Sequence, residues 1–280
     1  MKILFYINIA LIFFTSCEKD ANIKLPEQEP KLSVSCFIRP GDTTVKASVF
    51  LSEPVFSAST TNGGAVNNAI VTLSNGINTI NLVYNMNTGL YSAQLTSFPI
   101  LYNATYYLSV IDAQGRHVTS STTTPSATNP SYDISRTSTT DPNGNINYQI
   151  KCKIHDIPGE ENYYRAHTSV IYYDVSQGDT VISIQRFSVY VNDRSGDGKD
   201  LDANMELFSS SSGMTDTTAY MAHRIMVIKA NKDYYNFHNS VTTANFSNNP
   251  FAEPTIVYSN IQGGFGCFGA YTLTYKDLEY

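Results

Sequence analysis

Short alternations of apolar and polar residues dominate the chain after residue 30 and predict a mainly β fold. In the first half, apolar residues occupy every second position in Val34–Ile38 and Val45–Leu51, a period typical of strands with one buried face. Turn signals such as Asn75-Gly76 and Gln114-Gly115 separate further short runs. About seven short strands at such spacing predict an immunoglobulin-like β-sandwich over residues 31–125.

The second half follows a Ser-, Thr- and Pro-rich stretch at residues 120–130, which is the predicted linker. Longer strand-like runs, such as Tyr163–Asp174, predict a second β-rich domain over residues 131–280. One short helix is predicted within it. Asn231 stands where an N-cap belongs, and Asp233 falls in the first turn that follows.

The first sixteen residues have the layout of a secretory signal peptide. Lys2 precedes an apolar run of twelve residues, Ile3–Phe14, which is shorter than the roughly 20 residues that a membrane-spanning helix needs. Phe14-Thr15-Ser16-Cys17 resembles a lipobox, in which the thiol of the first mature residue accepts diacylglycerol. We therefore expect cleavage after residue 16 and a lipid anchor on Cys17.

Residues 17–30 are the predicted lipidated tether, a polar spacer that contains Pro26 and Pro30. Glu18-Lys19-Asp20 resembles the acidic tract that directs Bacteroidetes lipoproteins to the cell surface, although a solvated tether explains it equally well. We expect a location at the outer membrane, held by lipid and facing the cell exterior.

Composition excludes some partners and sites. The net charge of −6 and the lack of a basic patch argue against nucleic acid as a partner. Twenty Tyr and 14 Phe without Trp suit extracellular β-structure. Beyond Cys17 the cysteines are Cys36, Cys152 and Cys267, widely spaced and without a CxxC motif. They predict neither a zinc site nor a disulfide framework, and are expected to be small buried side chains.

The richest polar loop of the second half contains a candidate metal site. Asp193, Ser195 and Asp197 match the start of a calcium loop, D-x-S-x-D-G. The twelfth position is Asn204 rather than Glu, and Glu206 comes two residues late. A turn with its acidic side chains in water explains the same residues. Ca²⁺ is the one cofactor that the sequence leaves open.

Motifs for catalysis are lacking in the sequence. The five histidines, of which His155 precedes Asp156, form neither HxxxH nor HExxH, and no G-x-S-x-G elbow precedes a helix. We therefore expect no enzyme, while a dispersed carboxylate pair of the glycosidase kind stays open. Six tyrosines either fill a β core or stack on a sugar or peptide. They are Tyr163, Tyr164, Tyr172, Tyr173, Tyr234 and Tyr235.

Four segments carry a family resemblance, and the last two are the most specific: Glu161–Arg165, Lys232–Tyr235, Asn249–Pro254 and the glycine-rich Ser259–Tyr271. They resemble the Bacteroidetes outer-membrane lipoprotein family known as domain of unknown function 4249, over nearly the whole mature chain. The resemblance implies an immunoglobulin-like front half, a buried residue at Cys267, and a role beside TonB-dependent receptors. Physically, the glycines predict a tight bend that delivers the last strand into its sheet, and Phe251 is expected to plug into the core.

The function expected from these features is a non-enzymatic binding or accessory subunit of an outer-membrane complex built on a TonB-dependent-receptor-type β-barrel. Its mechanism would be tethering, which raises the effective concentration of the module near its partner. Two alternatives stay open at this point. One is a glycan- or peptide-binding module with its own ligand site, and the other is a hydrolase with dispersed acidic residues.

Overall fold

The computed structural model describes residues 29–52, 64–142, 146–174, 178–209, 218–246 and 256–279. The predicted signal peptide, Cys17 and nearly all of the tether lie outside the described residues. Phe251, with its predicted place in the core, lies outside them as well.

The described chain is mainly β, as predicted, with one α-helix. The strands of the first half are β1 (Leu32–Ile38), β2 (Thr44–Leu51), β3 (Ile70–Ser74), β4 (Thr79–Asn85), β5 (Leu90–Gln94), β6 (Thr105–Ile111) and β7 (His117–Thr123). Those of the second half are β8 (Ser131–Thr140), β9 (Ile146–His155), β10 (Tyr163–Asp174), β11 (Asp179–Asn192), β12 (Asp200–Asp202), β13 (Met205–Ser209), β14 (Thr218–Ala230) and β15 (Phe265–Glu279). Helix α1 (Lys232–Phe246) lies between β14 and β15. It is not long and apolar enough to cross a membrane, nor is any other helix in the described residues.

The last strand joins the two halves of the molecule. The start of β15 pairs in parallel with β1, from Ser33↔Phe265 to Ile38↔Ala270, and its remainder pairs antiparallel with β14. An eleven-stranded sheet results, in the order β11-β10-β14-β15-β1-β2-β5-β4-β3-β6-β7. One sheet therefore contains strands of both predicted domains, and the division at residues 125–131 stays a prediction.

The first core lies inside the sandwich that the front strands form. Along β1, every second side chain is buried, in the pattern that alternation predicts. The C-terminal segment completes this core, because Ile261, Phe268 and Ala270 belong to the same buried cluster. A bridge between Thr119 and Gln262 brings the residues before β15 against β7. The sandwich is confirmed, and its immunoglobulin-like detail stays a prediction.

A second core lies between the large sheet and a small sheet in which β9 pairs with β8, β12 and β13. It consists of side chains from β9 that face those of β10 and β14, including Ile150, Cys152, Ile154, Tyr164 and Ile225. The three described cysteines, Cys36, Cys152 and Cys267, are free and buried, which confirms the prediction that they are small core side chains.

The glycine-rich segment forms the predicted bend into β15. Gly263 and Gly266 have φ of +81° and +107°, values that favour glycine. A Cβ on Gly264 would lie 2.3 Å from Leu32 O, and one on Gly266 would lie 2.0 Å from Val34 O. The close parallel approach of β15 to β1 therefore needs glycine at these positions.

Helix α1 begins at the predicted cap. Asn231 Oδ1 accepts hydrogen bonds from the backbone N–H groups of Tyr234 and Ala270, both at 3.1 Å, and Asn231 Nδ2 donates to Thr122 Oγ1 at 2.7 Å. The same side chain thus caps the helix and ties it to β15 and β7. The helix packs closely on the sheet, because a Cβ on Gly269 would lie 2.9 Å from Tyr234 Cβ.

Candidate carboxylate site

Three aspartates converge where the large and small sheets meet. Asp193 and Asp197 belong to the loop between β11 and β12, and Asp156 follows β9. One carboxylate oxygen from each lies within 4.8 Å of the others. Asp156 and Asp193 are buried, and Asp197 is exposed. The structure therefore brings together two of the three residues predicted as calcium ligands and adds Asp156.

The local sequence explains how the loop reaches Asp156. Asn192 Oδ1 accepts from Arg194 N at 3.2 Å and caps a single 3-10 turn, Asp193–Ser195. Gly198 follows with φ of +72°, and its Cα approaches Pro158 so closely that a Cβ would lie 3.1 Å from Pro158 Cβ. This approach lets Gly198 N donate to Asp156 Oδ2 at 2.8 Å.

Each of the three carboxylates already accepts hydrogen bonds from the chain. Besides Gly198 N, Asp156 accepts from the Tyr164 hydroxyl at 2.8 Å. Asp193 Oδ2 accepts from Asn162 N at 2.8 Å, and both oxygens of Asp197 accept from Gly159 N at 3.0 Å. The cluster thereby fastens the turn after β9 to the loop after β11. Burial, and next the bond to Asp156, raise the pKa of Tyr164 and keep it protonated.

The calcium assignment stays a prediction at this geometry. Three carboxylates are hard oxygen ligands, and the buried Asn162 Oδ1 has no hydrogen-bond partner in the part of the chain that the structure describes. Ser195, however, is exposed, and Asn204 lies beyond strand β12, so the order of an EF-hand loop is not reproduced. Thermal unfolding with Ca²⁺ or with EDTA, on the wild type and Asp193→Asn, separates a cation site from a hydrogen-bonded clamp.

A second group of charges lines a cleft beside the predicted linker. The Lys229 ammonium is 4% exposed and donates to Glu160 Oε1 at 2.6 Å, Ser126 Oγ at 2.6 Å and Thr128 O at 3.1 Å. Its three donors thus join β14 to the linker and to the turn before β10. Glu161 accepts from the Tyr163 hydroxyl. Both glutamates of the cleft are therefore engaged within the chain.

One histidine, the partly exposed His155, bridges two aspartates on neighbouring strands. His155 Nδ1 lies 2.7 Å from Asp200 Oδ1, and Nε2 lies 3.0 Å from Asp133 Oδ2. The bond to Asp200, and next that to Asp133, raise the pKa of His155. Its partners are thus on β12 and β8, and the adjacent Asp156 is not one of them. Burial lowers the pKa of three further histidines below the ordinary value: to about 4 for His167 and His223, and to about 3 for His238.

Four of the six tyrosines for which a core role and a ligand-stacking role were both open lie in the interior. Tyr163, Tyr164, Tyr234 and Tyr235 are all buried, while the side chains of Tyr172 and Tyr173 lie outside the described part. The core alternative is thus confirmed for these four residues. Burial also raises the pKa of the Cys36 thiol to about 12 and that of Cys152 to about 11, so neither is a ready nucleophile.

Comparison with known proteins identifies a family and no activity. No curated protein matches the sequence. The profile of the family described as Domain of unknown function (DUF4249) matches residues 18–277, and the chain therefore belongs to this family.

Proposed function

We propose that the protein is a non-enzymatic binding or accessory subunit of an outer-membrane complex of the TonB-dependent-receptor type, anchored by lipid on Cys17 and facing the cell exterior. The first strand after the tether, β1, lies inside the large sheet between β2 and β15. A force on the tether therefore acts on an interior strand of the sheet and not on an edge strand. Such a scaffold suits a module that is held beside its partner by an anchor.

The observation that carries the binding role is a set of exposed large apolar side chains at one end of the sandwich. This surface, called the far end, consists of Ile77, Leu101, Tyr102 and Tyr107. Tyr107 pairs with Ser74 where β3 ends, away from the Ile70↔Ile111 pair where β3 begins. A group of solvent-exposed apolar side chains favours a protein-binding role over a purely structural one.

The two alternative functions stay predictions, and the described residues give them less support. Four of the tyrosines suggested for stacking are buried, and Asp156, Asp193, Glu160 and Glu161 are all hydrogen-bonded within the chain. Carboxylates that hold the protein's own loops in place are not free for general acid–base chemistry, so this scaffold is better suited to presenting a binding surface.

The test is co-purification from outer membranes of the native host in mild detergent, with partners identified by mass spectrometry. We expect a β-barrel receptor in stoichiometric amount with the wild type, and its loss with Cys17→Ala. The double variant Leu101→Ser/Tyr107→Ser should also lose the receptor, while Val83→Ser, an exposed apolar residue of β4, should retain it. A protein that comes down alone, under conditions that preserve other barrel–lipoprotein complexes, would refute the proposal, and glycan and peptide arrays would follow.

A further inference from the structure

Two exposed aromatic side chains flank the point where the tether enters the fold. Phe50 and Phe265 are both register partners of Ser33, on β2 and β15 respectively. Cross-strand partners project from the same face of a sheet, so the two rings stand on either side of Ser33. They are 40% and 47% exposed. Ile256, which is more exposed still, lines the same groove as Ser33 and Phe265.

The opposite sheet of the sandwich exposes apolar side chains at the same end. Ile70 and Ile111 are exposed register partners on β3 and β6. Ile111 pairs with His117, the first residue of β7. A Cβ on Gly263 would lie 3.0 Å from His117 O, and the neighbouring Gly264 approaches Leu32 O. The Ile70–Ile111 pair and the start of β1 therefore lie at one end, called the tether end, with Phe50, Phe265 and Ile256.

A cation stands at the edge of this apolar surface. Lys31, the residue before β1, places Nζ 5.6 Å from the centroid of the Phe265 ring. A lysine stem can lie along apolar surface while its ammonium reaches outward to a charged group. Apolar and aromatic side chains bordered by a lysine suit a surface that lies in the interfacial layer of a bilayer, with the ammonium at the lipid phosphates.

The tether enters the fold at this end of the sandwich, beside the start of β1. Cys17 and Glu29 are twelve positions apart. A chain of that length spans at most about 40 Å. The interfacial layer on each side of a bilayer is about 5–8 Å thick. Because the tether enters the fold beside Phe50 and Phe265, a lipid surface is the partner that the anchor itself supplies to these residues.

We propose that the tether end seats on the lipid headgroups, with Phe50, Ile70, Ile111, Ile256 and Phe265 toward the acyl chains and Lys31 at the phosphates. The inference rests on the lipid anchor of the proposed function. Seating on the bilayer fixes one orientation of the scaffold, in which the far end points away from the membrane toward a partner. A lipoprotein free to tumble on its tether would show no such orientation.

The sequence contains no tryptophan, so a single Trp reports its own surroundings. Mature lipidated protein carrying Phe265→Trp is reconstituted into phosphatidylethanolamine–phosphatidylglycerol vesicles with brominated or ordinary acyl chains. The matched control is Tyr107→Trp, at a far-end aromatic residue of similar exposure, 51%. We expect brominated acyl chains to quench most of the tryptophan fluorescence of Phe265→Trp and to leave that of Tyr107→Trp unchanged. Phe50→Trp reads the same surface if the first variant folds poorly.

The two proposals fail in different ways. Absence of the acyl mass in the mature protein, or loss of flotation with vesicles, would count against the lipid anchor itself. Full acylation and flotation without quenching of either tether-end reporter would overturn the seating. Cross-linking of the tether end to another protein and not to lipid, in native membranes, would overturn the seating as well.

Discussion

Replacing Gly266 with alanine tests whether the junction between the first and last strands depends on a close backbone approach. A φ of +107° costs an L-residue about 1–3 kcal/mol. The new Cβ would also lie 2.0 Å from Val34 O and 2.8 Å from Val34 C, both of them backbone atoms that cannot rotate away. Forcing extra atoms into such a contact costs about 1–3 kcal/mol more. We expect the free energy of unfolding to fall by about 4 kcal/mol.

Thermal unfolding followed by circular dichroism measures this loss. For a chain of this size, each kcal/mol lowers Tm by about 2–4 °C, so Gly266→Ala should unfold about 8–16 °C below the wild type. The matched control is Gly41→Ala, at a turn glycine with φ of +87° and open space around its Cβ position. It incurs only the backbone strain, about 1–2 kcal/mol.

The difference in Tm between the two variants separates overlap from strain. If backbone overlap with Val34 matters, Gly266→Ala loses at least twice as much Tm as Gly41→Ala. Equal losses would show that only the φ angle counts and that β1 and β15 can separate at little cost. The dependence of the junction on close approach would then be refuted, although the strand pairing would stand.

Three further predictions follow from single side chains. Asn231→Ala removes the helix cap and should destabilise the fold by about 1–2 kcal/mol, measured by thermal unfolding against Asn239→Ala within the same helix. NMR titration should give His155 a pKa above 6.5, and Asp200→Asn should lower that pKa. The stability that protonated His155 gains from Asp200 and Asp133 is complete below pH 6.5 and is lost as pH rises through the raised pKa. Lys229→Met leaves Glu160 and the linker without their cation and should cost about 1–3 kcal/mol; an unchanged Tm would mean that the linker is held by other contacts.

Local elements could be predicted from the sequence because their causes are local. The alternation in β1 assigned Val34, Cys36 and Ile38 to the buried face, where the structure has them. The cap at Asn231 marked the start of α1. The pairing of β1 with β15 left no such signal, because periodicity tells which face of a strand is buried and not which strand lies beside it.

The candidate sites show the same division. Spacing within one loop selected Asp193 and Asp197, but Asp156 comes from a separate strand end and no local pattern links it to them. His155 and Asp156 are adjacent in the sequence, but there is a physical reason for them not to pair. Successive side chains of a strand point to opposite faces. His155 therefore shares a face of the small sheet with side chains of β8 and β12, and the residue that follows it points away.

The glycine-rich segment on which the family resemblance rests most clearly has a packing role in the structure. Gly263 approaches His117 O, Gly264 approaches Leu32 O, Gly266 approaches Val34 O, and Gly269 lies under Tyr234. Each contact joins this segment to a neighbouring part of the fold: β7, two points along β1, and α1. Because these glycines are needed where β15 packs against β7, β1 and α1, the motif identifies the fold and does not specify a ligand. The determinants of function must therefore be sought among exposed side chains and not among these glycines. The far end and the tether end are two surfaces that expose apolar side chains among the described residues.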